Sequence, residues 1–251
     1  MIAPMNTQVE GPVLFIADLH LCAAEAATTR AFEAFVAGPA RQAKTLYILG
    51  DLFEYWAGDD DLAAPYHRHI ADLLAELTKA GTEIIFVAGN RDFLIGTDFC
   101  TATGITLATE PVTLSLSARP AILLHGDVLC TDDHAYQVFR QQVRNPGWQA
   151  TFLARPLDER RAIIESIRAQ SEAGKQQKTA DIMDINESAV VSAFQSAECD
   201  LMIHGHTHRP ATHIHSVNGR PCERWVLSDW HGTAPYLAWT DGALTRKELF
   251  I

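Results

Sequence analysis

The sequence predicts an α/β fold in which two packed β-sheets are flanked by helices, an αββα sandwich. Three observations carry it. Short β-branched and apolar runs alternate with longer amphipathic stretches through the first hundred residues. Strand-like runs then return in a hairpin and again in the last quarter, more than one sheet needs. The 251 residues are 47% hydrophobic and 20% charged, which suits a compact globular chain and excludes disorder, collagen and coiled coil. The length fits one domain, 1–251, carrying an insertion.

In chain order, strands at 13–17, 45–49 and 83–88 alternate with helices at 25–36, 61–79 and 93–103. Residues 112–116 and 121–124 are close enough for a hairpin, and four strands follow around 201–203, 212–216, 224–227 and 236–239. Between them, 132–196 has no strand pattern and reads as helices at 135–143, 148–153, 159–170 and 186–195. Within it, 134–178 holds eight Lys and Arg against four Asp and Glu, a net of +4, so the rest sums to −15. That asymmetry predicts a helical insertion facing an anion, with Arg160 and Arg161 among its exposed cations. Trp56, Trp225, Trp230 and Trp239 read as core. Asp59, Asp60 and Asp61 read as a solvated turn capping the helix that begins near Leu62. His67, His69, His213, His215 and His231 have no motif around them.

The balance of 20 basic against 31 acidic residues, net −11, excludes a general nucleic-acid surface. Five cysteines without a CxxC pair argue against a disulfide framework and a structural zinc site, and fit a reducing cytosol. No signal-peptide pattern precedes Val13, and no apolar run approaches the ~20 residues that span a bilayer. The expectation is a cytoplasmic protein able to lie against a membrane.

Five predicted strands end in polar residues: Asp18-Leu19-His20, Gly50-Asp51, Gly89-Asn90-Arg91-Asp92, His125-Gly126-Asp127 and His204-Gly205-His206-Thr207-His208. Open α/β sheets place ligand sites at such an edge, and the glycines let the backbone turn sharply there. Hard carboxylate and amide oxygens with imidazole nitrogens are what two divalent metals need. Each residue alone reads as an ordinary cap, turn or core histidine. The five together do not.

This series resembles the calcineurin-like metallophosphoesterase superfamily: DxH, GDxxD or a variant, GNHD or GNRD, H, and GHxH. The resemblance implies two metals, the first bound by Asp18, His20 and His208, the second by Asn90, His125 and His206, with Asp51 bridging. His204-Gly205-His206 and His206-Thr207-His208 share the same spacing; the GHTH motif selects the second pair and leaves His204 at the strand end. The runs FIADLHL, YILGDLFEYWAGDDD, VAGNRDFL, LLHGDVLCTDDHAYQVFR, IMDIN and MIHGHTHRP further resemble the UDP-2,3-diacylglucosamine diphosphatases of lipid A biosynthesis. That family implies hydrolysis of UDP-2,3-diacylglucosamine by water attacking the α-phosphorus, giving UMP and 2,3-diacylglucosamine 1-phosphate, with Mn2+ favoured. Asp51, Asn90 and Arg91 would be catalytic. Substrate contacts would fall on Asn90, Arg91, Asp133, Ser171, Lys175, Lys178 and His206, although Lys175 stands where relatives carry an asparagine. Arg91 in GNRD replaces the histidine of GNHD by a fixed cation, which suits a charged diphosphate whose leaving group needs little protonation.

The insertion would form a lid, with Phe139, Trp148, Phe152, Leu153, Leu157 and Ile163 lining a slot for two acyl chains and Tyr136 a further lid residue. The expected partners are UDP-2,3-diacylglucosamine and an anionic inner-membrane surface met peripherally by a monomer, with no nucleic acid. A metallophosphoesterase acting on another phosphodiester or phosphomonoester is the alternative, and a scaffold that has lost its metals the reading from another class.

Overall fold

The computed structural model describes residues 7–9, 11–175 and 184–250, with side chains at 11–171 and 184–250. Its strands are β1 (Thr7–Val9), β2 (Val13–Ile16), β3 (Thr45–Leu49), β4 (Glu83–Val87), β5 (Thr106–Ala108), β6 (Val112–Leu116), β7 (Arg119–Leu123), β8 (Leu201–His204), β9 (Thr212–Val217), β10 (Arg220–Val226), β11 (Ala234–Thr240) and β12 (Ala243–Leu249). Its α-helices are α1 (Ala26–Ala37), α2 (Pro65–Lys79), α3 (Thr97–Thr103), α4 (His134–Val143), α5 (Pro146–Leu153), α6 (Leu157–Lys175) and α7 (Glu187–Ala197).

Two six-stranded sheets result, ordered β1-β6-β7-β8-β10-β9 and β12-β11-β2-β3-β4-β5. β2, β3 and β4 are parallel, as are β7 and β8, so their carboxyl ends gather at one edge. Every residue of β2 and β3 is buried because each strand faces two layers. Val13, Phe15, Tyr47 and Leu49 meet Leu114, Leu123 and Ile203 of the other sheet. On the opposite face Leu14, Ile16 and Ile48 pack under Phe32 and Phe35 of α1 and Leu74 of α2.

Three strands escape the hydropathy pattern. β1 and β5 have three residues each, too few for a period, and β12 (ALTRKEL) is an edge strand with mostly exposed residues. The helix expected from Phe93 starts only at Thr97, because Asn90–Ile95 is spent on the turn that leaves β4. At the far end of the insertion, α7 packs Val190 and Phe194 onto Ile122 and Met202 of β7 and β8. It therefore packs on the sheet itself, whereas α5 and α6 reach the helix-covered core through Trp148, Phe152, Ile163 and Ile164. The five described cysteines are free.

Phe194→Ala empties a fully buried site between α7 and the sheet, and is expected to lower unfolding free energy by about 3–5 kcal/mol in a denaturant titration.

Candidate metal and substrate site

The backbone leaving the parallel strands turns at once. Asp18 donates its N–H to Gly50 O at 3.1 Å, His20 to Asp51 O at 3.0 Å, and Gly205 to His125 O at 2.8 Å, which ties neighbouring loops within each sheet, and His206 N–H to Asp18 Oδ2 at 2.8 Å joins the two sheets' loops. Asp18, His20, Asp51, His206 and His208 all hold left-handed backbone, with φ between 49° and 70°. Non-glycine residues adopt it at a cost of roughly 1–3 kcal/mol each, and it concentrates at ligand sites. Gly50 has no alternative: a Cβ there would stand 2.5 Å from His125 Nδ1 and 2.6 Å from Gly89 Cα.

All seven expected ligands converge. Asp18, His20 and His208 offer donor atoms within 4.8 Å of one another, as do Asp18, Asp51 and His125. Asn90 Oδ1 lies 2.9 Å from both His125 Nε2 and His206 Nδ1. Asp51 has one oxygen 3.7 Å from His125 Nε2 and the other 3.9 Å from His20 Nε2, so its carboxylate faces both sets.

Outer partners decide which imidazole nitrogen stays free. His125 Nδ1 donates to Leu49 O at 2.9 Å. His20 Nδ1 faces Glu54 at 2.8 Å, and His208 Nδ1 faces Asp229 at 3.1 Å. Each thereby turns Nε2 inward, as metal-ligating histidines do. Burial pulls His125 down, but Asp51, Asp127 and Asp18 outweigh it and lift its pKa to about 9. Asp18 Oδ1 is buried with no hydrogen bond among the described residues. A divalent cation meets both conditions, and a donor set of carboxylate, amide and imidazole without thiolate suits one. His204 is different: Nδ1 donates to Gly205 O at 2.8 Å, and Nε2 accepts from Arg224 at 3.1 Å. Burial and Arg224 push its pKa to about 3, and neither nitrogen reaches the cluster.

Sequence reasoning missed the supports. Asp92 accepts from the N–H groups of Leu52 at 2.7 Å, Gly89 at 2.8 Å and Asp51 at 3.4 Å, lashing the loops after β3 and β4 together. Asp127 accepts from Tyr136 Oη at 2.6 Å and Arg140 Nε at 2.9 Å, with Glu110 on the other side of Arg140. Arg144 donates to Ala88 O and Gly89 O at 3.0 Å. Asp92 and Asp127 at least follow motif residues; Glu54, Glu110 and Asp229 carry no local signal.

The cluster opens into a cleft of about 670 Å³ lined by Asn90, Arg91, Asp133, Ser171 and His206. Arg91 Nε is buried there without a hydrogen bond, and Asp133 also caps α4. Lys175 lies in α6 with its side chain undescribed, and Lys178 lies outside the described residues. Phe139, Trp148 and Phe152 form the apolar wall, as expected, and Tyr136 also lines the cleft. Leu153, Leu157 and Ile163 do not. Leu153 is exposed, and Ile163 packs on the helix-covered core. The helical period brings Ile164, Ile167, Arg168 and Ser171 to the cleft instead.

Two expectations are corrected together. Asp59–Asp61 is no solvated turn: Asp59 receives the N–H groups of Gly96, Asp98 and Phe99 at α3, while Asp60 and Asp61 pair with Arg160 and Arg161. Arg160 is only 2% exposed, so these cations dock α6 on the sandwich instead of meeting an outside anion.

The Calcineurin-like phosphoesterase family profile matches residues 11–210, which contain all seven candidate ligands. The chain belongs to the calcineurin-like phosphoesterases. This phosphoesterase is 54% identical over 230 residues to the UDP-2,3-diacylglucosamine hydrolase of Aromatoleum aromaticum, covering 92% of this chain and 93% of the relative. The protein of that name in Cellvibrio japonicus is 50% identical, over 87% and 90% of the two chains. One from Escherichia coli is 49% identical over the same shares. Phosphoesterases of this family take divalent metals, and the chain's donor atoms fit them.

Asp92→Ala strands three buried N–H groups and is expected to lower stability by about 3 kcal/mol or more, whereas Asp92→Asn keeps an acceptor and loses less. Equal midpoints for the two in urea would contradict this account.

Proposed function

We propose that the chain hydrolyses the diphosphate of UDP-2,3-diacylglucosamine by water attack at the α-phosphorus, giving UMP and 2,3-diacylglucosamine 1-phosphate. One observation carries the reading: a single cleft joins a metal-ligand cluster to an apolar wall of Phe139, Trp148, Phe152, Ile164 and Ile167. A diacylated diphosphate needs both ends. The names of the relatives support the same substrate.

Asp18, His20, Asp51 and His208 would hold one cation and Asp51, Asn90, His125 and His206 the other, both as Mn2+. Bound there, two divalent cations neutralise non-bridging phosphate oxygens and lower the pKa of the attacking water. Asp51 keeps the two sets in register. Asn90 presents its amide to the phosphate, and Arg91, free of internal partners at Nε, donates to it as a planar fork. Asp133, Ser171, Lys175, Lys178 and His206 complete the substrate contacts. The helices α4–α6 act as the lid.

Each buried CH₂ is worth roughly 0.8 kcal/mol, so the acyl chains are met at a bilayer instead of being drawn through water. No described helix is long and apolar enough to cross a membrane. Val138 and Leu153, exposed on α4 and α5, give peripheral contact to the inner membrane, a role that Arg160 and Arg161 do not fill.

Asp51→Ala is expected to fold, to lose metal from both sets and to lose nearly all activity; elemental analysis showing about two metals per chain with activity intact would sink the bridge. Arg91→Lys is expected to keep partial turnover of the diacylated substrate and Arg91→Ala far less, both with wild-type metal content. Wild-type rates in both would remove Arg91 from the phosphate.

A further inference from the structure

A second groove, of about 240 Å³, runs from the His206–His208 loop over β9 and β10 and shares Thr207 and Arg209 with the cleft. None of the substrate contacts proposed above lies in it. On one wall is Arg224, only 6% exposed. Its Nε donates to His215 Nε2 and its Nη1 to His204 Nε2, both at 3.1 Å. Three of its five N–H groups have no acceptor among the described residues, and no described carboxylate pairs with it. Its remaining N–H groups open to the groove, where Asp184 and Glu187 are the carboxylates that act on its charge, and acceptor oxygens entering the groove would complete it. Thr207 Oγ1, at the junction of groove and cleft, is likewise buried with no hydrogen bond. Asp184, paired with Arg209, adds acceptor oxygens, and His213 adds an exposed ring.

This mixture selects among ligands. A bare phosphate would satisfy Arg224 and Arg209 but meet Asp184 as a like charge. A pyrimidine nucleoside brings carbonyl oxygens for the guanidinium, hydroxyl and N–H donors for the carboxylate, and a flat ring for His213 to stack against. The diphosphate bond also has to send its two halves apart, and the apolar cleft takes only one of them.

Resting on the function proposed above, we infer that this groove binds the uridine of the substrate and of product UMP, with Arg224, Thr207, Asp184 and His213 as its contacts.

The test uses the metal-loaded full chain, with UMP and inorganic phosphate as inhibitors of two reactions, hydrolysis of UDP-2,3-diacylglucosamine and of bis(para-nitrophenyl) phosphate. UMP is expected to inhibit at lower concentration than phosphate. His213→Ala and Arg224→Lys are each expected to raise the UMP inhibition constant about tenfold, the loss of one stacking or charge-assisted contact, with that for phosphate unchanged. Should Arg224→Lys fail to fold, His213→Ala at its exposed position decides alone. UMP no better than phosphate, or a UMP constant unmoved in the folded variants, overturns the groove. No turnover of the diacylated sugar nucleotide, with UMP inhibition of the aryl diester still weakened by the substitutions, overturns the proposed substrate and upholds the groove.

Discussion

A parallel strand delivers its following loop only at its carboxyl end, and five strands of this molecule, β2, β3 and β4 in one sheet and β7 and β8 in the other, end at one edge. Packing the sheets face to face then forces five loops into a space that holds few side chains. The loops fit by turning at once, through left-handed backbone at five of the seven candidate ligands and through glycines whose absent Cβ leaves room for a neighbouring loop. Two sandwiched cores supply the rigidity that holds such strained turns in place.

Charge is the second requirement at that edge. Asp18 and Asp51 are buried beside His20, His125, His206 and His208, and carboxylates outweigh desolvation at His125. Glu54, Asp229 and Leu49 O orient the imidazoles from behind, so the donor atoms are aimed before any cation arrives. Glu54 also pairs with Arg168 of α6, so the helix lining the apolar wall is joined to the candidate metal-ligand His20 through one carboxylate.

The basic helices hold on by the same means. Arg160 and Arg161 meet Asp60 and Asp61, and Arg140 and Arg144 meet Asp127 and Glu110. Much of the positive charge of this stretch is consumed inside the molecule. A composition contrast between two stretches of sequence can mark an outside ligand or each other, and here they mark each other.

By itself the sequence determined the layered fold and the seven candidate ligands. Both are written locally: strand runs have a period, and the ligands that the resemblance to the phosphoesterases implies each lie within two residues of a glycine or a second ligand at a strand end. It also singled out Arg91, and it set the apolar character of α4 and α5. Tertiary structure alone decided the rest. β1 and β5 are too short to show a pattern, and β12 is an exposed edge. Ile164 and Ile167 face the cleft while Ile163 does not, because the docking of Arg160 and Arg161 sets the rotation of α6. The repeat His-x-His-x-His offers two pairs of one spacing, His204 with His206 and His206 with His208, and Arg224, twenty residues on, holds His204 as a buried neutral ring away from the cluster, in agreement with the pair the GHTH motif selects. Contacts between residues far apart in the chain leave no spacing to read, and that is where the orienting carboxylates and the second groove lie.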